Sequence, residues 1–275
     1  MKKVARLILL FGIFGCKINQ KKDFVFDEFK SQVESRGMKI EFVDKTGLIH
    51  VSQGELTMKI SLDNVRKDYE RYKDKTIISN FTQTILLPIE LPEEWSDAKD
   101  DIYISLFTNN FEFEDIIYKK ITEDFSKIYV YVERGQRKWI SKDDITKWGI
   151  SEFELDTQAN NNADKLLNHI QIQYYSIENR KLGVIDVART SALLFAPAMK
   201  EKVKVDIGFP FFAVIPVIDL CYVFSEQDFD FLAERIGKIV VDEYSQSGYP
   251  ITTEILKFTD NGVEVEGKFK LINDE

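Results

Sequence analysis

The sequence predicts an α+β protein in which mixed, mainly antiparallel sheets pack against several helices in a single compact domain. Short β-rich runs with alternating apolar residues recur along the chain, separated by Gly and Asn turns. Between them lie longer stretches with apolar residues three and four positions apart, several of which begin with a capping-box pattern. The chain has 275 residues, 44% of them hydrophobic, and no Pro/Gly/Ser-rich linker divides it.

The first part of the domain is predicted to be a helix, three short strands and two more helices. Phe26, Phe29 and Val33 lie on one face of a helix over residues 24–37 that ends at Gly37. Residues 39–60 contain three β-rich runs separated by glycines, which predicts a three-stranded meander. Ser61 is predicted to cap a helix, and a further helix ends near Pro88. The apolar stripe of the capped helix is Leu62, Val65, Tyr69 and Tyr72.

The middle of the chain is predicted to be rich in strands and to end in two helices. Residues 102–107, 116–122 and 127–133 alternate as half-buried strands do, and a turn at Arg134-Gly135 leads to a fourth strand. Two capping boxes follow, and Gly149 separates the helices that they begin. The boxes are Ser141 with Asp144 and Ser151 with Glu154.

The last part is predicted to contain three strand pairs and two helices. Residues 171–187 form a hairpin through Asn179, a helix lies around Thr190 to Phe195, and residues 211–224 form two apolar strands. Ser225 and Asp228 are predicted to open a long helix that closes at Gly248 and Pro250. Its inward residues are Phe229, Leu232, Ile236, Val240 and Tyr244. Asp260-Asn261-Gly262 marks a final hairpin.

The first sixteen residues are typical of an export signal. Lys2, Lys3 and Arg6 precede an apolar run over residues 7–15, which is far shorter than the ~20 residues a membrane-spanning helix needs. Residues 13–16, Ile-Phe-Gly-Cys, resemble the lipobox of bacterial lipoproteins, in which the cysteine thiol receives diacylglycerol before cleavage on its amino side.

That resemblance implies a signal peptide over residues 1–15, a tether over residues 16–23 and an α+β domain over residues 24–275, anchored to a membrane of the bacterial cell envelope through lipid on Cys16. The alternative is an apolar first helix of a cytoplasmic protein.

Charge and cysteine content limit the partners of the chain. The formal charge of −9 becomes −12 without Lys2, Lys3 and Arg6, and no basic stripe offsets it, which disfavours nucleic-acid binding. The expected partners are the membrane and an envelope protein or small ligand. If Cys16 carries lipid, Cys221 has no disulfide partner; its apolar surroundings predict a buried thiol.

Three segments carry a resemblance to a known family. They are KIYVYVERGQRKWISKDDITKWGIS, GVIDVARTSALLF and GFPFFAVIPVIDLCYVF, followed by the closing helix and hairpin. Together they resemble the YtpQ-like family of bacterial proteins, domain of unknown function 1444, over about residues 55–270. The family has no assigned activity, so the resemblance implies a fold and no mechanism.

The sequence contains few signs of catalytic chemistry. It has two histidines, no HExxH, CxxC, G-x-S-x-G, P-loop or G-x-G-x-x-G motif, and we expect no metal or cofactor. Asp186, Arg189 and Asp219 adjoin apolar segments that we expect to be buried, where charges require partners. They form a candidate polar cluster, either a structural ion network or an acid/base site.

Three functional hypotheses follow. The first is a non-catalytic envelope lipoprotein that binds a protein or small ligand. The second is a hydrolase with carboxylate chemistry at Asp186 and Asp219. The third is a cytoplasmic factor whose apparent signal is not processed.

Overall fold

The computed structural model describes residues 23–53, 56–86, 89–111, 113–134, 136–187 and 193–271, which contain eight helices and thirteen strands. The helices are α1 (Phe24–Ser35), α2 (Asp63–Tyr72), α3 (Thr76–Leu86), α4 (Trp95–Ala98), α5 (Lys142–Trp148), α6 (Glu152–Leu167), α7 (Met199–Ile207) and α8 (Phe229–Gln246). The strands are β1 (Lys39–Val43), β2 (Ile49–Gln53), β3 (Leu56–Ile60), β4 (Ile102–Thr108), β5 (Tyr118–Lys120), β6 (Phe125–Glu133), β7 (Gln136–Trp139), β8 (Gln173–Ile177), β9 (Arg180–Asp186), β10 (Phe211–Val217), β11 (Leu220–Ser225), β12 (Glu254–Thr259) and β13 (Gly262–Lys268). The predicted α+β class is confirmed.

Residues 23–86, here called the N-terminal subdomain, have their own apolar core. The sheet order is β1-β2-β3, as the meander predicts, and α1 and α3 pack together beside it. Phe29, Leu62 and Ile78 are fully buried in this core. Two local predictions were wrong: Tyr72 is 59% exposed, and the N-cap of α2 is Leu62, with the Ser61 hydroxyl accepting the Asp63 N–H at 3.2 Å.

The second sheet has the order β4-β6-β5, with β7 also paired to β6. The side chains of β4 alternate between the two faces of the sheet. Those of Ile102, Ile104 and Leu106 point to the face that packs against α6. Both predicted capping boxes are confirmed at the starts of α5 and α6.

The third sheet has the order β13-β12-β10-β11-β9-β8, and every neighbouring pair is antiparallel. The helix α8 covers one face, where Leu232, Ile236 and Val240 are buried as predicted. The opposite face, with Phe211 and Val223, belongs to a central core shared with α6 and the second sheet. None of the described helices combines the length and the apolarity needed to cross a membrane.

Helix boundaries in this region depart from prediction. The helix α8 begins at Phe229 and not after Ser225, because Ser225 and Asp228 bond to each other in the preceding turn. The helices α4 and α7 were not predicted, although the buried residues of α7, Met199, Val203 and Ile207, recur every four positions. The helix expected around Thr190 to Phe195 is helical at residues 193–194, and residues 190–192 lie outside the described residues.

Candidate ligand-binding groove

An aromatic cluster covers the face of the second sheet that is turned away from α6. Its members are Phe107, Phe111, Phe113, Tyr118 and Trp139. The rings of Phe107 and Trp139 meet edge to face at 4.7 Å, and Phe113 stacks on Tyr118 at 4.8 Å. Phe111 is 47% exposed and Tyr118 is 49% exposed, so the cluster presents a large apolar surface to solvent.

Strand alternation and an ordered loop place these rings together. Phe107 lies on β4 and points to the face of the sheet away from α6. Trp139 lies on β7 and pairs with Val130 of β6. Phe111 and Phe113 come from the loop after β4. Asn109 holds this loop, because its side-chain amide donates to the carbonyls of Thr122 at 2.9 Å and Glu123 at 3.1 Å.

A groove runs beside the aromatic cluster, formed by two cavities of about 440 and 300 Å³. The cavities share four lining residues, Thr108, Asn110, Tyr244 and Ile251, and therefore lie next to each other. The larger cavity forms the apolar end of the groove, which is lined by Phe107, Phe111, Ile218, Tyr249 and Pro250. The smaller one forms the acidic end, which is lined by Asn109, Glu123, Asp124 and Lys268.

The acidic end is organised around Asp124. Its carboxylate accepts hydrogen bonds from Lys268 Nζ at 2.6 and 2.9 Å and from Thr252 Oγ1 at 2.8 Å. Burial acts to lower the pKa of Lys268, but the hydrogen bond to Asp124 and the charge of that carboxylate outweigh burial and raise the pKa. Asp124 is therefore a fixed, paired anion at the surface of the groove.

Glu254 lies behind this ion pair and is 5% exposed. It is the cross-strand neighbour of Lys268, and its Oε2 has no hydrogen-bond partner within the described residues. Burial raises the pKa of Glu254, and the charge of Asp124 raises it further, while Thr122, Lys268 and Thr252 act in the opposite direction. A buried carboxylate with an unused acceptor is thus held next to the groove.

The N-terminal subdomain supplies one wall of the apolar end through Asn64 of α2. Next to it, Asp68 Oδ1 accepts the Gly248 N–H at 2.7 Å, and burial raises the pKa of Asp68. Arg71 forms an ion pair with Glu243 of α8. These contacts fix α2 beside the groove.

The predicted polar cluster lies outside the groove. Asp186 ends β9 and is exposed, and Asp219 lies in the turn between β10 and β11 with its side chain 44% exposed. The expectation that these two carboxylates are buried was wrong, because both lie at strand ends where the apolar runs stop. Arg137 of β7 donates to Asp219 at 3.4 Å, a partner that sequence reasoning missed. Arg189 and Cys16 lie outside the described residues.

The buried thiol predicted at position 221 is confirmed. Cys221 is fully buried within β11, and burial raises the pKa of its thiol, which suits a packing role. His50 bonds to Asp44 at 3.1 Å, far along the chain from His169. Among the described residues, no three His, Cys, Asp or Glu side chains are placed to hold a metal ion together.

Sequence reasoning missed the groove because its walls come from six separate segments of the chain. The only local signal is the run from Phe107 to Phe113, in which several phenylalanines interrupt a polar loop. Comparisons with protein-family models, with curated proteins and with solved structures found no match for this chain. The resemblance to the YtpQ-like family stays a prediction.

Proposed function

We propose that the protein is a lipid-anchored bacterial envelope protein, tethered through Cys16, that binds a partner in the groove without catalysis. The observation that carries the binding role is the aromatic cluster, partly open to solvent, beside the two adjacent cavities of the groove. The tethering role rests on the charged start, the short apolar run and the Gly15-Cys16 junction.

Exposed aromatic side chains of this kind favour recognition. Large apolar patches bordered by polar groups mark binding surfaces, and aromatic residues contribute a large share of the binding free energy of protein interfaces. Phe111 lines both the groove and a neighbouring cavity of about 480 Å³, which also contains Tyr118. Phe111 is therefore the residue we expect to contribute most to binding.

The charges of the groove favour binding over hydrolysis. Its surface carboxylates, Glu123 and Asp124, are each paired with a lysine, at 2.7 and 2.6 Å. Paired carboxylates at the surface are poor general bases, because a substrate proton would have to compete with the lysine for the carboxylate oxygens. Asp186 and Asp219, the residues of the hydrolase hypothesis, do not line the groove.

The anchor is tested with a Cys16→Ser variant. Growth with a labelled fatty acid should label the wild type, whereas the variant should be unlabelled and keep its amino-terminal residues. Equal labelling of the two proteins would contradict the anchor, without bearing on the proposed binding role of the groove.

The binding role is tested by cross-linking in intact cells. We expect Phe111→Ser to lose the cross-linked partners of the wild type. Phe153→Ser is the matched control, because Phe153 is 79% exposed on α6 and does not line the groove. The same cross-links in wild type, Phe111→Ser and Phe153→Ser would contradict a binding role for the groove.

A further inference from the structure

We infer that the groove holds an extended peptide segment that places an apolar side chain at the apolar end and a Lys or Arg side chain at the acidic end. The inference rests on the proposed function and names the class of ligand. It follows from the chemical difference between the two ends, which share the lining residues Thr108, Asn110, Tyr244 and Ile251.

The apolar end suits one aromatic or long aliphatic side chain. Phe107, Phe111 and Ile218 provide apolar walls, and Tyr249, which is 43% exposed, provides a further ring. A volume of about 440 Å³ lies within the usual range for pockets that enclose a ligand group. Burial of such a side chain removes apolar surface from water on both partners.

The wall of the groove contains two amides that suit a peptide backbone. Asn110 lines both cavities, and its Oδ1 accepts a hydrogen bond from the Thr108 hydroxyl, so its amide nitrogen is the group that can donate to a ligand. Asn64 adds a second amide in the wall of the apolar end. An extended peptide presents alternating N–H and C=O groups along the same direction, with side chains two positions apart on one face. A segment in this conformation can therefore reach both ends.

Among the described residues, the acidic end has three carboxylates and two lysines that pair with two of them. Glu123 is paired with Lys120, and Asp124 is paired with Lys268. Glu254 is the third carboxylate and is buried on β12 opposite Lys268, with Oε2 unpartnered among the described residues. A ligand ammonium or guanidinium beside Asp124 would offset the charge of Glu254, which interacts electrostatically with Asp124 and Lys268.

This arrangement links binding to protonation. A ligand cation favours the ionised form of Glu254, so binding should release a proton and strengthen as the pH rises through the pKa of Glu254. The groups that face Glu254 are Asp124, from the loop before β6, Lys268, from β13, and the hydroxyls of Thr122 and Thr252. Anionic ligands would be repelled at this end, and neutral ones would gain nothing from Glu254.

The test is a selection of random octapeptides on the full-length protein in detergent micelles. We expect the selected peptides to share an aromatic or long aliphatic residue followed closely by Lys or Arg, and to lose binding to Phe111→Ser. Selected peptides that need Phe111 but lack a basic residue would overturn this inference and leave the proposed function standing. Binding that is independent of Phe111 would contradict both, and no enrichment would overturn the inference.

A second measurement isolates Glu254. With the best selected peptide, we expect Glu254→Gln to weaken binding about fivefold to tenfold and to abolish its pH dependence. Glu264→Gln is the matched control, because Glu264 is exposed on β13 beside the same sheet edge. A peptide with Gln in place of its basic residue should bind wild type and Glu254→Gln equally. Unchanged affinity of the basic peptide for Glu254→Gln would overturn the role of the buried charge.

Discussion

At the scale of single residues, the same degree of burial suits one side chain and is unfavourable for another. Cys221 and Glu254 are both enclosed in the third sheet, but a thiol packs as a small apolar group, whereas an ionised carboxylate loses hydration. The apolar run around Cys221 predicted its burial from sequence alone. The position of Glu254 depends on the register between β12 and β13 and on Asp124, which comes from a distant loop.

The raised pKa of Glu254 makes a prediction about stability and pH. Between the ordinary pKa of 4.5 and the raised value, the folded protein binds more protons than the unfolded chain, so wild-type stability falls as the pH rises. Glu254→Gln lacks this loss and should gain stability relative to wild type as the pH rises above 4.5. Denaturant unfolding over this range checks it, with Glu264→Gln as the control. A constant difference between Glu254→Gln and wild type would contradict the raised pKa.

Two isoleucines on α8 test the apolar core of the third sheet. Ile236 is 1% exposed and Ile239 is 49% exposed. Ile236→Ala should lower the free energy of unfolding by ~2–5 kcal/mol, because it leaves a cavity. Ile239→Ala should change it by no more than about 0.5 kcal/mol. Similar losses for the two variants, measured by denaturant unfolding, would show that α8 packs in another orientation.

At the scale of elements, the boundaries that side chains fix locally are the ones that sequence predicted best. The capping boxes at Ser141 and Ser151 involve residues three positions apart, so the pattern contains the whole interaction. The start of α8 was misplaced because the same Ser-x-x-Asp pattern can also close a turn, as it does at Ser225. Local pattern alone does not distinguish these two uses.

The cap of α6 supplies a prediction at this scale. Ser151 Oγ accepts the Glu154 N–H at 3.2 Å, so Ser151→Ala leaves this donor unpaired and should cost about 1 kcal/mol of stability. Ser151→Asp keeps an acceptor at the same place and should stay close to wild type. Thermal and denaturant unfolding of the three proteins measures the difference. Equal losses in both variants would argue against the capping role.

At the scale of the whole molecule, the N-terminal subdomain meets the rest of the protein where α2 approaches α8. The contacts are the Arg71–Glu243 ion pair and the bond from Gly248 N to Asp68. Gly248 permits this close approach, because a Cβ there would lie 2.5 Å from the Asn64 carbonyl oxygen and 2.9 Å from the Asp68 carboxylate. Because α2 lies this close, Asn64 forms one wall of the groove.

Gly248→Ala should therefore push α2 away from α8. We expect a loss of about 1–3 kcal/mol in stability and faster amide hydrogen exchange in α2, while exchange in α6 stays unchanged. Gly267→Ala is the control, because a Cβ there meets only Ile255 Cδ1, at 3.9 Å. Unaltered exchange in α2 of Gly248→Ala would show that the subdomain is held by other contacts.

The sequence by itself determined the α+β class, the meander, the two capping boxes and the final hairpin, because each depends on residues close together in the chain. It also supplies the whole basis for the proposed anchor at Cys16. Only the tertiary structure decided the order of the six-stranded sheet, the exposure of Asp186 and Asp219, and the groove. Phe111, Asp124, Tyr244 and Lys268 come together through long-range packing, and no local pattern encodes contacts between such distant segments.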